Sequence, residues 1–101
     1  GNLVAPSAES GRAAIEANLT RIPPNLRVFL PDPEGEHAYP IVSLTWLLLN
    51  ERYGDPAKAV ALKQFVNWAL SDGQPFGAEL GYVALPVDLI TRSRAAVEAV
   101  R

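Results

Sequence analysis

The chain has 101 residues, of which 49% are hydrophobic and 20% charged, with a net charge of −2. That is enough apolar material for one packed core, and it excludes disorder throughout. A pI of about 5.3 and nine basic residues scattered from Arg12 to Arg101 argue against a nucleic-acid binder, which would carry a basic stripe. Without cysteine there are no disulfides and no thiolate metal sites. The longest apolar runs, Trp46 to Leu49 among them, fall far short of the roughly 18 to 20 residues of a membrane helix. No signal peptide is visible after Gly1, although an internal or C-terminal portion of a secreted chain reads the same way.

In chain order, Pro6-Ser7 opens the first predicted helix, Ala8 to Asn18. Ser7 is placed to accept from a free amide of the first turn, and Glu9 suits the helix dipole. Ile15 is its one large apolar residue; Ala13, Ala14 and Ala17 allow a close neighbour, and Gly11 weakens the helix slightly. From Leu19 to Pro40, five prolines remove the donors that a helix or a central strand needs. Leu26 to Leu30 fits a short extended piece, and Asp32-Pro33-Glu34-Gly35 reads as a turn.

Ile41 to Asn50 reads as a strand. Val42, Leu44, Trp46 and Leu48 share one face; Ile41, Ser43, Thr45, Leu47 and Leu49 share the other. Both faces are largely apolar, which suits a strand covered on both sides in an α/β sheet. Asp55-Pro56 is a helix start, followed by Leu62, Phe65, Val66, Ala69 and Leu70 at helical spacing. Ser71-Asp72-Gly73 breaks that helix. Gln74 to Leu80 predicts another turn or two, closed by Gly81. Tyr82 to Leu85 is short and extended, and Pro86 opens a last helix with Val87, Ile90, Val97 and Val100 inward.

A single buried strand cannot satisfy its own backbone groups. The sequence therefore describes part of a larger fold, or a chain that pairs with a second copy.

Candidate chemistry is sparse. His37, the one histidine, stands beside Asp32, Glu34 and Glu36; this reads as a solvated acidic turn, since the spacing matches no metal-ligand pattern. A nucleophile–His–acid arrangement would need the same His37. Trp46, Phe65, Trp68, Phe76 and Tyr82 read as core packing, with an aromatic ligand cage as the alternative. Ser43 and Thr45 either face a ligand cleft or make structural hydrogen bonds. Asn18-Leu19-Thr20 fits the glycosylation acceptor pattern.

Five stretches carry a resemblance: Val4-Ala5-Pro6-Ser7, Pro31-Asp32-Pro33-Glu34-Gly35-Glu36, Tyr39-Pro40-Ile41-Val42-Ser43, Phe65-Val66-Asn67-Trp68-Ala69 and Gly81-Tyr82-Val83-Ala84-Leu85-Pro86. In this order the chain resembles the C-terminal part of periplasmic phosphate-binding proteins, the substrate-binding subunits of the phosphate ABC transporter. The match covers nearly the whole chain and is weakest over Leu19 to Leu30.

The resemblance implies an α/β fold, with residues 1–101 as the C-terminal portion of a phosphate-binding-protein-like domain. The chain is then a partial lobe of a type II periplasmic binding protein, helix-rich, with one central strand and one or two short strands. It also implies inorganic phosphate held between two lobes of the full protein, an ABC transporter permease as partner, a periplasmic or extracytoplasmic location, no cofactor and no enzymatic activity. The family's phosphate contacts come mainly from N-terminal and middle loops, through amides and hydroxyls at helix starts, an Asp, an Arg and a Ser-Gly-Thr segment. None of these has a counterpart here, so no phosphate ligand carries over, and Ser43 and Thr45 are the only cleft candidates. The alternative is a stand-alone module that pairs the Ile41–Asn50 strand, as a homodimer without ligand. An enzyme ranks below both.

Overall fold

A computed structural model describes residues 2–101. Its elements in order are α1 (Ala8–Glu16), a 3-10 turn (Leu19–Arg21), α2 (Pro56–Ala69), α3 (Gln74–Glu79) and α4 (Val87–Glu98). The helix starts follow from local chemistry. Ser7 Oγ accepts from the Ser10 amide at 3.0 Å, while Ser10 Oγ accepts from the Ser7 amide at 3.0 Å, a reciprocal capping box. Asp55 Oδ1 accepts from the Ala57 amide at 2.9 Å, with Pro56 at the first helical position. Helix α3 ends in a Schellman motif: the Tyr82 amide reaches the Gly77 carbonyl at 2.8 Å and the Gly81 amide reaches Ala78 at 3.2 Å. Gly81, at φ +84°, supplies the left-handed residue that this closure requires.

Two small cores hold these elements together. Ile15, Ile22 and Leu89 form one, joined by Leu19, Leu26, Val28, Val42, Leu44 and Leu85. Val66, Leu70 and Val97 form the other, joined by Leu49, Leu85 and Ile90. Leu85 belongs to both, so the extended residues after α3 connect the α1 side to the α2–α4 pair. Gly11 explains itself here: a Cβ at that position would lie 2.8 Å from Val83 Cγ2. The glycine costs helix propensity, but it lets the 82–85 segment lie directly on α1.

Polar side chains fasten the loops. Asn18 is buried; its Nδ2 donates to the Ala14 carbonyl at 2.7 Å and the Glu34 carbonyl at 2.9 Å. Its Oδ1 accepts from the Glu34 amide and from Arg21 Nη1, both at 3.2 Å. Arg92 on α4 donates to the carbonyls of Leu19 and Ile22 and pairs with Asp88 at 2.6 Å. Lys63 on α2 donates to the carbonyls of Glu98 and Val100, satisfying groups left open at the end of α4.

Several expectations are corrected. Ile41–Asn50 makes no ladder: among the described residues the one β-pairing is an isolated antiparallel bridge between Pro31 and Ile41. The two-sided cover expected for this strand is absent too, with Ile41 79%, Leu47 64% and Leu48 79% exposed. Leu26–Leu30 and Tyr82–Leu85 likewise form no strands. The reason is the same throughout: strand pairing is non-local, and no segment of these residues lies alongside to complete it.

The aromatic residues read as core are exposed instead, Trp46 at 44%, Phe65 at 58% and Phe76 at 56%. Trp68 stacks near Phe65 and Phe76 at ring-centroid distances of 6.2 and 6.1 Å, and is itself 47% exposed. The inner face of α4 is Leu89, Ile90 and Val97, with Val100 just beyond its end, whereas Val87 is exposed. The first helix ends at Glu16 rather than Asn18. The turn before Ile41 centres on Glu36-His37, closed by the Ala38 amide on the Gly35 carbonyl at 3.2 Å. Asn18 is no glycosylation acceptor in this fold, because its amide nitrogen is buried and already donates twice.

The molecule is a slab measuring 52 × 28 × 17 Å, with a radius of gyration of 15.1 Å, against about 13 Å for a closed domain of this length. Its accessible surface is 7238 Å², whereas a closed monomer of this mass exposes about 5600 Å². Large apolar side chains stand open along residues 41–48 and on α2 and α3, and also at Leu3, Phe29, Tyr82 and Val87.

Candidate functional site

The apolar stretch Ile41–Leu49 borders two hollows. The first, about 800 Å³, runs between Ile41–Thr45 and Gly81–Leu85. The start of α1, with Gly11 and Ile15, forms its base, and Gly73, Gln74, Gly77 and Ala78 close one end. The second, about 480 Å³, lies between Leu44–Leu49 and the apolar faces of α2 and α4, at Val66, Leu70, Leu89, Val97 and Val100.

The walls are positioned by specific bonds. Trp46 Nε1 donates to the Leu26 carbonyl at 2.8 Å, where Leu26 sits at φ +61°. The Asn50 amide donates to Tyr53 Oη at 3.1 Å. Beyond it, the Arg101 amide donates to Glu51 and the Tyr53 amide donates to Arg101. On the opposite wall, Gln74 Nε2 donates to the Ala69 carbonyl at 2.8 Å while its Oε1 accepts from the Leu85 amide at 3.1 Å. Gln74 thus holds the end of α2 and the 82–85 segment in one position. The sequence offers no local signal for the roles of Gln74 or Arg92. Lys63 is equally silent, because its partner lies at the end of another helix.

Ser43 and Thr45 both stand on the wall of the first hollow, and Thr45 also borders the second. Both are exposed. Ser43 Oγ makes only a long contact, 3.4 Å, to the Leu44 carbonyl. The structure thus brings the two hydroxyls to one hollow. Its lining contains no Asp, Glu, Lys, Arg or His. The Ser7 hydroxyl at the start of α1 is already engaged in the capping box. A doubly charged anion here would have no cation to offset its dehydration. The arrangement suits apolar groups and backbone hydrogen bonds better than free charge.

His37 lies in the exposed turn, apart from both hollows. Among the described residues, no three His, Asp or Glu side chains come close enough to hold a metal ion. No helix among them is long and apolar enough to cross a membrane.

Comparison with known proteins gives one consistent result. Aligned over 88% of its length, the chain is 39% identical to the phosphate-binding protein PstS of Methanocaldococcus jannaschii and covers 26% of it. It is 33% identical to PstS of Haemophilus influenzae, with 90% of the chain and 27% of the relative aligned. PstS of Pasteurella multocida gives 32%, over 94% of the chain and 28% of the relative. No family model matches, and no solved structure matches. The chain spans about a quarter of the length of the curated relatives it matches. Across about nine-tenths of its own length, it is a partial PstS-like region.

Proposed function

We propose that the chain acts as the C-terminal portion of a phosphate-binding protein that serves an ABC transporter in phosphate import. Its place is periplasmic or extracytoplasmic, and a transporter permease is the partner of the whole assembly. The observation that carries this reading is the similarity to PstS proteins over almost all of the chain. The unfinished surface agrees with it, since a slab with open apolar edges is the expected form of a partial lobe. In the whole protein, the two lobes close around the anion while the hinge absorbs the backbone change. The chain contributes framework rather than phosphate ligands: the hollow beside Ser43 and Thr45 is uncharged, so the ligand loops belong to the remainder of such a protein.

Calorimetric titration with phosphate tests this. The chain alone is expected to give no saturable heat. Mixed with Haemophilus influenzae PstS truncated to lack the matching region, it is expected to restore phosphate binding. Saturable binding by the chain alone would overturn the framework role and make Ser43 and Thr45 the first positions to change. A second reading, a ligand-free module that dimerises by pairing Ile41–Asn50 with its copy, is favoured by the open backbone edge of that segment. Light scattering that shows a monomer at micromolar concentration removes it.

A further inference from the structure

The loop that follows α1 is pinned to distant elements at two places. At its near end, Arg92 Nη1 on α4 donates to the carbonyls of Leu19 and Ile22, at 3.3 and 3.1 Å. Farther along, Trp46 Nε1 donates to the Leu26 carbonyl at 2.8 Å. The turn between the pins is tight. The Leu26 amide donates to the Pro23 carbonyl at 2.9 Å, and the Arg27 amide donates to Asn25 Oδ1 at 3.0 Å. Leu26 itself stands at φ +61°, in the left-handed region, where the Cβ of a leucine crowds the backbone carbonyl.

Strain of this kind persists only where the surroundings over-determine it. Two contacts do so here, and they are unequal. The Leu26 side chain packs against the core of Ile15, Ile22 and Leu89, which is shielded from water. Its carbonyl is held by one neutral hydrogen bond from an indole that is 44% exposed, where water competes for both partners. The net worth of such a bond is of the same order as the cost of a left-handed leucine. Two states therefore lie close in free energy. In one, the bond is made and the backbone is strained; in the other, water replaces the bond and Leu26 relaxes to negative φ.

From this we infer that the turn Pro23–Arg27 is a two-state latch on the Leu44–Leu49 segment. In the closed state, Trp46 holds the strained Leu26 peptide. In the open state, that peptide turns away and the segment is no longer tied to the loop. Asn25, Leu26 and Arg27 stand with Trp46, Leu44 and Leu49 around the second hollow, so the latch sets how firmly that wall of the hollow is held. Arg92 keeps the near end of the loop on α4 in both states, which confines the change to the residues after Ile22. Every part of the device lies within this chain.

Nuclear magnetic relaxation dispersion on the full chain tests the latch. Exchange on the microsecond-to-millisecond timescale is expected at the Leu26 and Arg27 amides and at the Leu44 and Leu49 methyl groups, all described by one rate. Replacing Trp46 by its benzothienyl isostere keeps the shape of the ring and removes only the N–H. It is expected to raise the population of the minor state about tenfold and to speed hydrogen exchange of the Leu26 and Arg27 amides by the same factor. The Arg21 and Ile22 amides, on the Arg92 side, are expected to exchange as in the unaltered chain. Trp46→Phe should act in the same direction. An isostere that behaves as the unaltered chain overturns the latch, because the hydrogen bond then holds nothing. Separate rates for the amides and the methyl groups, or no exchange at either, also overturn it. Faster exchange that spreads to Arg21, Ile22 and α4 does so too, since the loop then unfolds as a whole.

Discussion

Helix α2 and the stretch Ile41–Asn50 are both rich in apolar residues, and they end in opposite conditions. The helix satisfies its backbone within itself, is capped by Asp55, and buries Ala59 and Val66. Apart from the bridge to Pro31 and the Asn50–Tyr53 bond, the stretch forms no ladder, and it exposes most of its side chains. A helix needs only its own sequence to close its hydrogen bonds, and packing then finishes it. A strand carries half of a contract that another segment must complete. Stability in this molecule should therefore be concentrated on the helical side, and substitutions should reveal that asymmetry.

The largest effect separates Leu89 from Leu48. Leu89, 3% exposed, joins α4 to the α1 core, and Leu89→Ala is expected to cost about 2–5 kcal/mol. Leu48→Ala, in the open stretch, is expected to stay within about 0.5 kcal/mol. Urea unfolding of both variants decides the matter, and equal losses would mean that the stretch is covered in solution.

Next comes Asn18→Ala. It strands the Glu34 amide and frees the acidic turn from α1, at an expected cost of about 1–3 kcal/mol, again read from urea midpoints. Gly11→Ala sharpens the comparison where the two kinds of structure touch. Helix propensity alone would favour alanine by about 0.8–1.0 kcal/mol. The collision with Val83 costs about 1–3 kcal/mol, so a net loss of about 1 kcal/mol is expected. The double variant with Val83→Ala should lose less than the sum of the two singles, and strict additivity would show that the contact does not govern this site. Among the helical-side variants the smallest effect expected is Asp55→Ala, about 1 kcal/mol or below for an exposed cap, seen as a small drop in thermal midpoint without change in the exchange pattern of residues 41–50.

What the sequence made legible follows the same division. Ser7, Asp55-Pro56 and Gly81 act within a few residues of themselves, and each lies where its local chemistry directs. The boundaries of α2 and α3 followed from them. Ile41–Asn50 was legible as a segment that wants a sheet, but its pairing depends on partners that no local pattern reveals. The aromatic residues failed for a related reason. Periodicity identifies a stripe on α2, yet cannot say whether this chain or another covers it, and Phe65 and Trp68 stand on the uncovered side. Ser43 and Thr45 were visible as interruptions in an apolar face. That they border an uncharged hollow depended on where Tyr82–Leu85 passes, which is fixed by Gly11, Gln74 and α3 together.

The indole of Trp46, held to the Leu26 carbonyl, gives the molecule a built-in optical probe. The chain has two tryptophans, one in each of the contrasted regions, and each is about half exposed. Replacing Trp68 by Phe leaves Trp46 as the sole indole emitter, beside the backbone edge that remains open. Its fluorescence colour then follows the solvation of that edge in real time, and a shift toward the blue records the moment at which water leaves it.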